Sequence, residues 1–141
     1  MTESERIPAW GMHGLATERS KIVFWIATVL VGIAFLGSGI ANLVHAPHVA
    51  MDMAHLGYPA YFSTILGTWK VLGSVAIVAP RWPQVKEWAY AGMIFDLSGA
   101  AISRAVSGDG LVGVVPPMLI AVLVVASWAL RSEDRRLPAS I

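Results

Sequence analysis

The chain has 141 residues, 56% hydrophobic and 13% charged, with a formal net charge of +1 and a mean hydropathy of +0.64. Soluble domains carry about 25% charged residues, so the deficit points to a bilayer as solvent, and the small net charge leaves no basic surface that would argue for nucleic acid as a partner. No cysteine is present, which excludes disulfides, thiol catalysis and cysteine-ligated clusters.

Residues 1–20 are polar and of mixed charge, and they read as a loose cytoplasmic tail, with Trp10 and Met12 as candidates to touch the membrane surface. Residues 22–44 form the first uncharged run. A helix needs about 20 apolar residues to cross a hydrocarbon core of roughly 30 Å, whereas a signal-peptide core is about 7–15 residues, so this run reads as a retained span. Pro47 disfavours helix in the residue before it, which places the end of the span near His45. In residues 48–56, Val49, Met53 and Leu56 share one helical face and His48, Asp52 and His55 another, the pattern of a short amphipathic helix at the interface. Residues 60–79 are the second span, residues 88–106 the third and residues 111–130 the fourth. Pro116 and Pro117 in the fourth predict a kink or a late start, because proline removes a backbone donor and crowds the preceding turn. Residues 132–141 are a second charged tail. The expected fold is all-α: a membrane four-helix bundle over residues 21–131, with the interfacial helix between spans one and two.

With four spans, both termini and the middle loop share one side. Arg6, Arg19, Lys21, Arg81, Lys86, Arg131, Arg135 and Arg136 lie there, eight of the ten Lys and Arg, so the excess of basic residues in cytoplasmic loops places both termini in the cytoplasm. Trp25, Trp82, Trp88 and Trp128 fall near the same interface. Trp69 is the exception, in mid-membrane beside Lys70.

Lys70 and Asp96 are the two ionisable residues near span centres. Such a residue is costly there and needs a partner or water. Counted from the short loop that joins spans two and three, Lys70 lies about 13.5 Å deep and Asp96 about 12 Å, level to within one residue's rise. An ion pair facing the bundle interior is therefore expected. Ser63, Gly67, Lys70 and Ser74 on span two, and Gly92, Asp96, Gly99 and Ser103 on span three, form small-residue stripes of the kind that let helices approach closely, and these faces are expected to meet. Ser38, Asn42 and His45 share one face of span one. With His55 and Arg104 they would build a polar pocket opening outward, floored by Lys70 and Asp96 and walled by Trp69. Two readings of the pair stay open, a clamp that fixes helix register and a ligand or proton site. His45, His48, Asp52 and His55 include good metal ligands, but their spacing matches no metal motif, so no metal is expected.

Six segments stand out when taken together. They are Phe35-Leu36-Gly37-Ser38-Gly39-Ile40-Ala41-Asn42-Leu43, Met53-Ala54-His55-Leu56-Gly57-Tyr58-Pro59, Ile65-Leu66-Gly67-Thr68-Trp69-Lys70-Val71-Leu72-Gly73, Lys86-Glu87-Trp88-Ala89-Tyr90-Ala91-Gly92, Phe95-Asp96-Leu97-Ser98-Gly99-Ala100 and Pro116-Pro117. In combination they resemble the DoxX-like family of small four-helix bacterial membrane proteins. The resemblance implies the four-helix fold and a place in the bacterial cytoplasmic membrane. It implies no catalytic residue set, and it leaves Asn42 where a common family form has lysine. Named relatives resemble subunits of quinone-linked or stress-defence membrane complexes.

The leading functional expectation is a membrane-complex subunit without catalysis of its own, with the lipid bilayer and partner proteins as its contacts. The second is a quinone- or lipid-binding subunit of a membrane oxidoreductase, with quinone the one cofactor in view, motivated by Trp69, Lys70 and Asp96 in an apolar bundle. The third is a proton or small-solute pathway, for which four helices would require an oligomer.

Overall fold

The structure is a computed structural model. It describes residues 9–132 and 135–137, with side chains from residue 17 onward; Arg6, the side chains of Trp10 and Met12, and residues 133–134 and 138–141 of the expected tails lie outside the described residues. Within those bounds the chain is all-helical, with α1 Ala9–Leu43, α2 Pro47–His55, α3 Ala60–Val78, α4 Pro83–Val106 and α5 Gly110–Ala129, and no strand. Residues 9–20, expected in a loose tail, continue the helix of α1, which runs 35 residues. Pro116 and Pro117 lie inside α5 with helix on both sides, so the late start expected there does not occur.

Among the described residues, three helices are long and apolar enough to cross a membrane, over Thr17–Leu43, Ala60–Val78 and Gly110–Ala129. The sequence reading placed a fourth span within α4. That helix has the length, 24 residues, but Lys86, Glu87, Asp96 and Arg104 make it more polar than the other three.

The helices pair unevenly. α1 packs most extensively on α3, and α4 on α5; the two pairs meet along α1 with α5 and along α3 with α4. The α1–α3 crossing is close because it is built on glycine. A methyl group added at Gly67 would lie 2.8 Å from the Gly39 carbonyl oxygen and 2.9 Å from Leu43 Cγ, and one added at Gly39 would lie 3.0 Å from Lys70 Cβ. This corrects the expected meeting of stripes. Ser63 and Gly67 of α3 face α1, not α4, while Gly92 and Gly99 of α4 border open space, with nothing within 4 Å of an added methyl group. Small residues permit close approach, but they do not say which neighbour uses the permission.

The packed core gathers in the half of the molecule nearest the α3–α4 turn. Val31 and Phe35 of α1, Ile77 of α3, Tyr90, Met93 and Leu97 of α4, and Val124 of α5 are all buried and in mutual contact. A buried hydroxyl cluster crosses this core. Ser127 Oγ lies 2.7 Å from Thr28 Oγ1 and 2.8 Å from the Tyr90 hydroxyl, tying α5 to α1 and α4. Ser127→Ala leaves two buried hydroxyls without that partner, and unpaired buried polar groups cost about 1–3 kcal/mol. A loss of that size is expected in reversible unfolding in mixed micelles, and an unchanged midpoint would show that Thr28 and Tyr90 find other partners.

At this same end the polar groups are anchored by contacts absent from the sequence reading. Lys86, almost fully buried, donates to the Ala79 carbonyl across the turn. Arg131, also buried, donates through Nη2 to Glu87 Oε1 (2.5 Å) and lies over the Tyr90 ring, 5.1 Å from its centroid. Trp128 donates its indole N–H to the other oxygen of the same carboxylate, Glu87 Oε2, at 2.9 Å.

Candidate functional site

The half of the molecule away from the turn is hollow, and its floor is the charged pair. Lys70 Nζ lies 3.6 Å from Asp96 Oδ2, with both side chains 17% exposed. At that separation the contact is electrostatic, longer than a good hydrogen bond. The ammonium also donates to Ser38 Oγ of α1, at 3.2 Å. Three helices therefore meet at this cation.

Three cavities share these residues. The first is an apolar groove of about 390 Å³, lined chiefly by α3 and α4 from Lys70 and Asp96 toward the turn, with Trp69, Trp88, Gly92 and Met93 in its walls. The second is a polar chamber of about 640 Å³ in the opposite half, with Ser38, Asn42, Asp52, Tyr58 and Arg104 among its lining. The third, about 740 Å³, lies on the α5 side and includes Ser38, His55, Arg104 and Asp109. Lys70 and Asp96 line all three.

The roof of the chamber is α2, latched by polar contacts. Arg104 donates to Asp52 Oδ2 (2.7 Å) and to Asp109 Oδ2 (3.1 Å). His55 Nε2 donates to Asp109 Oδ1 (2.5 Å), and the Tyr58 and Ser103 hydroxyls share a hydrogen bond of 2.6 Å. The hydrogen bond from His55, followed by that from Arg104 and their charges, outweighs the smaller opposing effect of burial and holds the Asp109 carboxyl below its ordinary pKa. A depressed carboxylate stabilises the fold above its unfolded-state pKa of about 4, and that contribution is lost as pH falls through the folded value. The latch is therefore expected to hold at neutral pH and loosen below about pH 4. A spin label on Leu56→Cys, in a chain otherwise free of cysteine, should gain mobility on acidification below about pH 4; equal mobility above and below that point would show that the latch does not depend on Asp109.

The remaining expected site residues fall as follows. Asn42 is 4% exposed and structural in its contacts: it donates to the Ser38 carbonyl (2.8 Å) and accepts from Ser63 at both its backbone carbonyl and Oδ1 (2.9 and 3.0 Å). His45 does not join Ser38 and Asn42 on the chamber wall. Helix α1 ends at Leu43 and His45 turns to φ 50°, so the helical spacing that aligned the three no longer applies; its ring lies 3.3 Å from the Ala60 carbonyl and from Thr64 Oγ1. Trp69 is not a wall of the polar chamber. It is 68% exposed and belongs to the apolar groove, because its neighbour Lys70 takes the inward direction on α3. Asp52, Asp109, Tyr58 and Ser103 were not grouped with the site in the sequence. Asp109 stands five residues after Arg104, a local signal; Tyr58 and Ser103 are 45 positions apart, and no spacing rule links them.

Apolar helices around an internally paired charge centre define a helical membrane protein. The chain belongs to the DoxX-like family, whose model it matches over residues 26–127. Comparison with curated proteins and with solved structures gave no match.

Proposed function

We propose that the chain crosses the bacterial cytoplasmic membrane four times, as a bundle of α1, α3, α4 and α5, and serves as a complex subunit without catalysis of its own that holds a membrane-soluble ligand, a quinone or a lipid, at Lys70 and Asp96. Two observations favour α4 as the fourth span. Its charges are internally engaged, Lys86 with Ala79, Glu87 with Arg131, Asp96 with Lys70 and Arg104 with Asp52 and Asp109. Its outward stripe of Trp88, Phe95 and Ile102 is exposed and apolar, suited to lipid. The asymmetry of basic residues supports cytoplasmic termini.

The observation that carries the ligand reading is that one ion pair forms a wall common to an apolar groove and to polar chambers. Ligand sites are mostly apolar concavities of about 300–1,000 Å³ with a few placed polar groups. A register clamp needs no such space around it. The test is binding of decylubiquinone to the protein in lipid nanodiscs. Replacing both partners, Lys70→Met with Asp96→Leu, removes the polar centre without leaving a lone charge. Binding should be lost with the helical content intact; binding equal to the wild type would overturn the assignment.

A further inference from the structure

We infer that the ligand lies across the α3–α4 seam, its apolar chain in the groove beside Gly92 and an uncharged hydrogen-bonding head in the chamber beside Gly99. This deepens the reading of Lys70 and Asp96 as a ligand site and rests on it.

The direction follows from where each cavity lies. Along α4, the groove takes Val85, Trp88, Gly92 and Met93, on the turn side of Asp96. The chamber takes Gly99, Ser103 and Arg104, on the other side. Leu66, Lys70 and Asp96 are common to both, so one molecule can occupy both by passing the ion pair. The groove offers aromatic and aliphatic walls, with Trp69 and Trp88 both more than two-thirds exposed at its sides. That environment takes a hydrocarbon chain and gives a polar head, beyond Lys70 and Asp96, only the indole N–H donors of Trp69 and Trp88 and no side-chain acceptor but Asp96.

The charge state of the head follows from the pairing. Each formal charge on the chamber lining has an opposite charge within 4 Å: Lys70 with Asp96, and Arg104 with Asp52 and with Asp109 of the adjoining cavity. An anionic head would have to take Lys70 or Arg104 from its carboxylates, and a cationic head would have to take a carboxylate from its cation. Either exchange leaves a charge without its partner, most costly at Lys70 and Asp96, whose side chains are each 17% exposed. An uncharged head with carbonyl or hydroxyl groups breaks no pair and has Lys70, Ser38 and Tyr58 beside it.

Gly92 and Gly99 make the seam wide enough. A β-carbon at either meets nothing within 4 Å, and Gly92 lines the groove and Gly99 the chamber, so a leucine there starts from open space, and it has the better helix propensity. Gly92→Leu is therefore the plug for the groove and Gly99→Leu the plug for the chamber, each used only with its helical content shown equal to the wild type.

The experiment measures binding to the full chain in nanodiscs of three probes: decylubiquinone, the same ring without its decyl chain, and decyl phosphate. Gly92→Leu should weaken decylubiquinone by about tenfold or more, the scale of a few methylenes denied burial, and leave the chainless ring unchanged. Gly99→Leu should weaken both ring probes. Decyl phosphate should bind the wild type at least about tenfold less tightly than decylubiquinone, a difference of about 1.4 kcal/mol. Equal losses for both ring probes in Gly92→Leu would overturn the orientation, and decyl phosphate binding as tightly as decylubiquinone would overturn the uncharged head. If the Lys70→Met, Asp96→Leu protein binds like the wild type yet remains sensitive to Gly92→Leu, the polar-centre reading fails while the groove stands. If the wild type binds none of the three, both fail.

Discussion

Lys70→Met alone should destabilise the protein by about 3 kcal/mol, and Asp96→Leu alone by a similar amount, whereas the two together should cost far less than the sum. Breaking one half of a buried pair leaves the other charge without compensation, at about 3–5 kcal/mol, while replacing both with apolar groups of similar size is often neutral. The low end applies here because both side chains are 17% exposed and border cavities, where water reaches them. Lys70 keeps Ser38 as a hydrogen-bond partner when Asp96 is removed, so the Asp96 variant should be the milder of the two. Reversible unfolding in mixed micelles reads all four corners of the cycle. Strict additivity would mean that the 3.6 Å contact contributes nothing to the fold.

The second large effect is at the α1–α3 crossing. Gly67→Ala should cost about 1–3 kcal/mol, the usual price of overpacking, and Gly67→Val more. The added atom would sit 2.8 Å from a backbone oxygen of Gly39, and a carbonyl within a helix cannot swing aside as a flexible side chain would. Gly92→Ala provides the contrast: its added methyl meets nothing, and alanine is the better helix former by about 1 kcal/mol, so it should be neutral or stabilising. Equal behaviour at the two positions would contradict the asymmetry between a closed crossing and an open seam.

Much of the helical plan was legible in the residues. Largely apolar or amphipathic runs bounded by Pro47, Pro59, Pro80 and the Ser107-Gly108-Asp109-Gly110 turn marked α2 through α5, the least accurate bound being the start of α4, at Pro83 where residue 88 was expected, because apolar length and chain-breaking residues are local properties. The level depth of Lys70 and Asp96 was likewise countable from a short turn, and the two atoms lie 3.6 Å apart. What could not be read was azimuth. Trp69 and Lys70 are adjacent in sequence, yet one faces outward and the other inward; Gly67 serves α1 while Gly92 serves no neighbour. A stripe of small residues fixes how close a helix can come but not which one comes. The Arg104, Asp52, Asp109 and His55 latch escaped for a related reason: its parts come from three separate segments whose juxtaposition depends on the roof helix folding back. His45 was misplaced because a helical projection was carried two residues beyond the end of α1.

The slack seam between two tight helix pairs has an adaptive side. A β-carbon added at Gly92 or Gly99 alters the shape of a void and meets no other part of the chain within 4 Å. If a ligand occupies that void, as proposed above, its fit can change by single steps that leave the α1–α3 crossing and the packed core in place. Innovation in this molecule is cheap where it is empty.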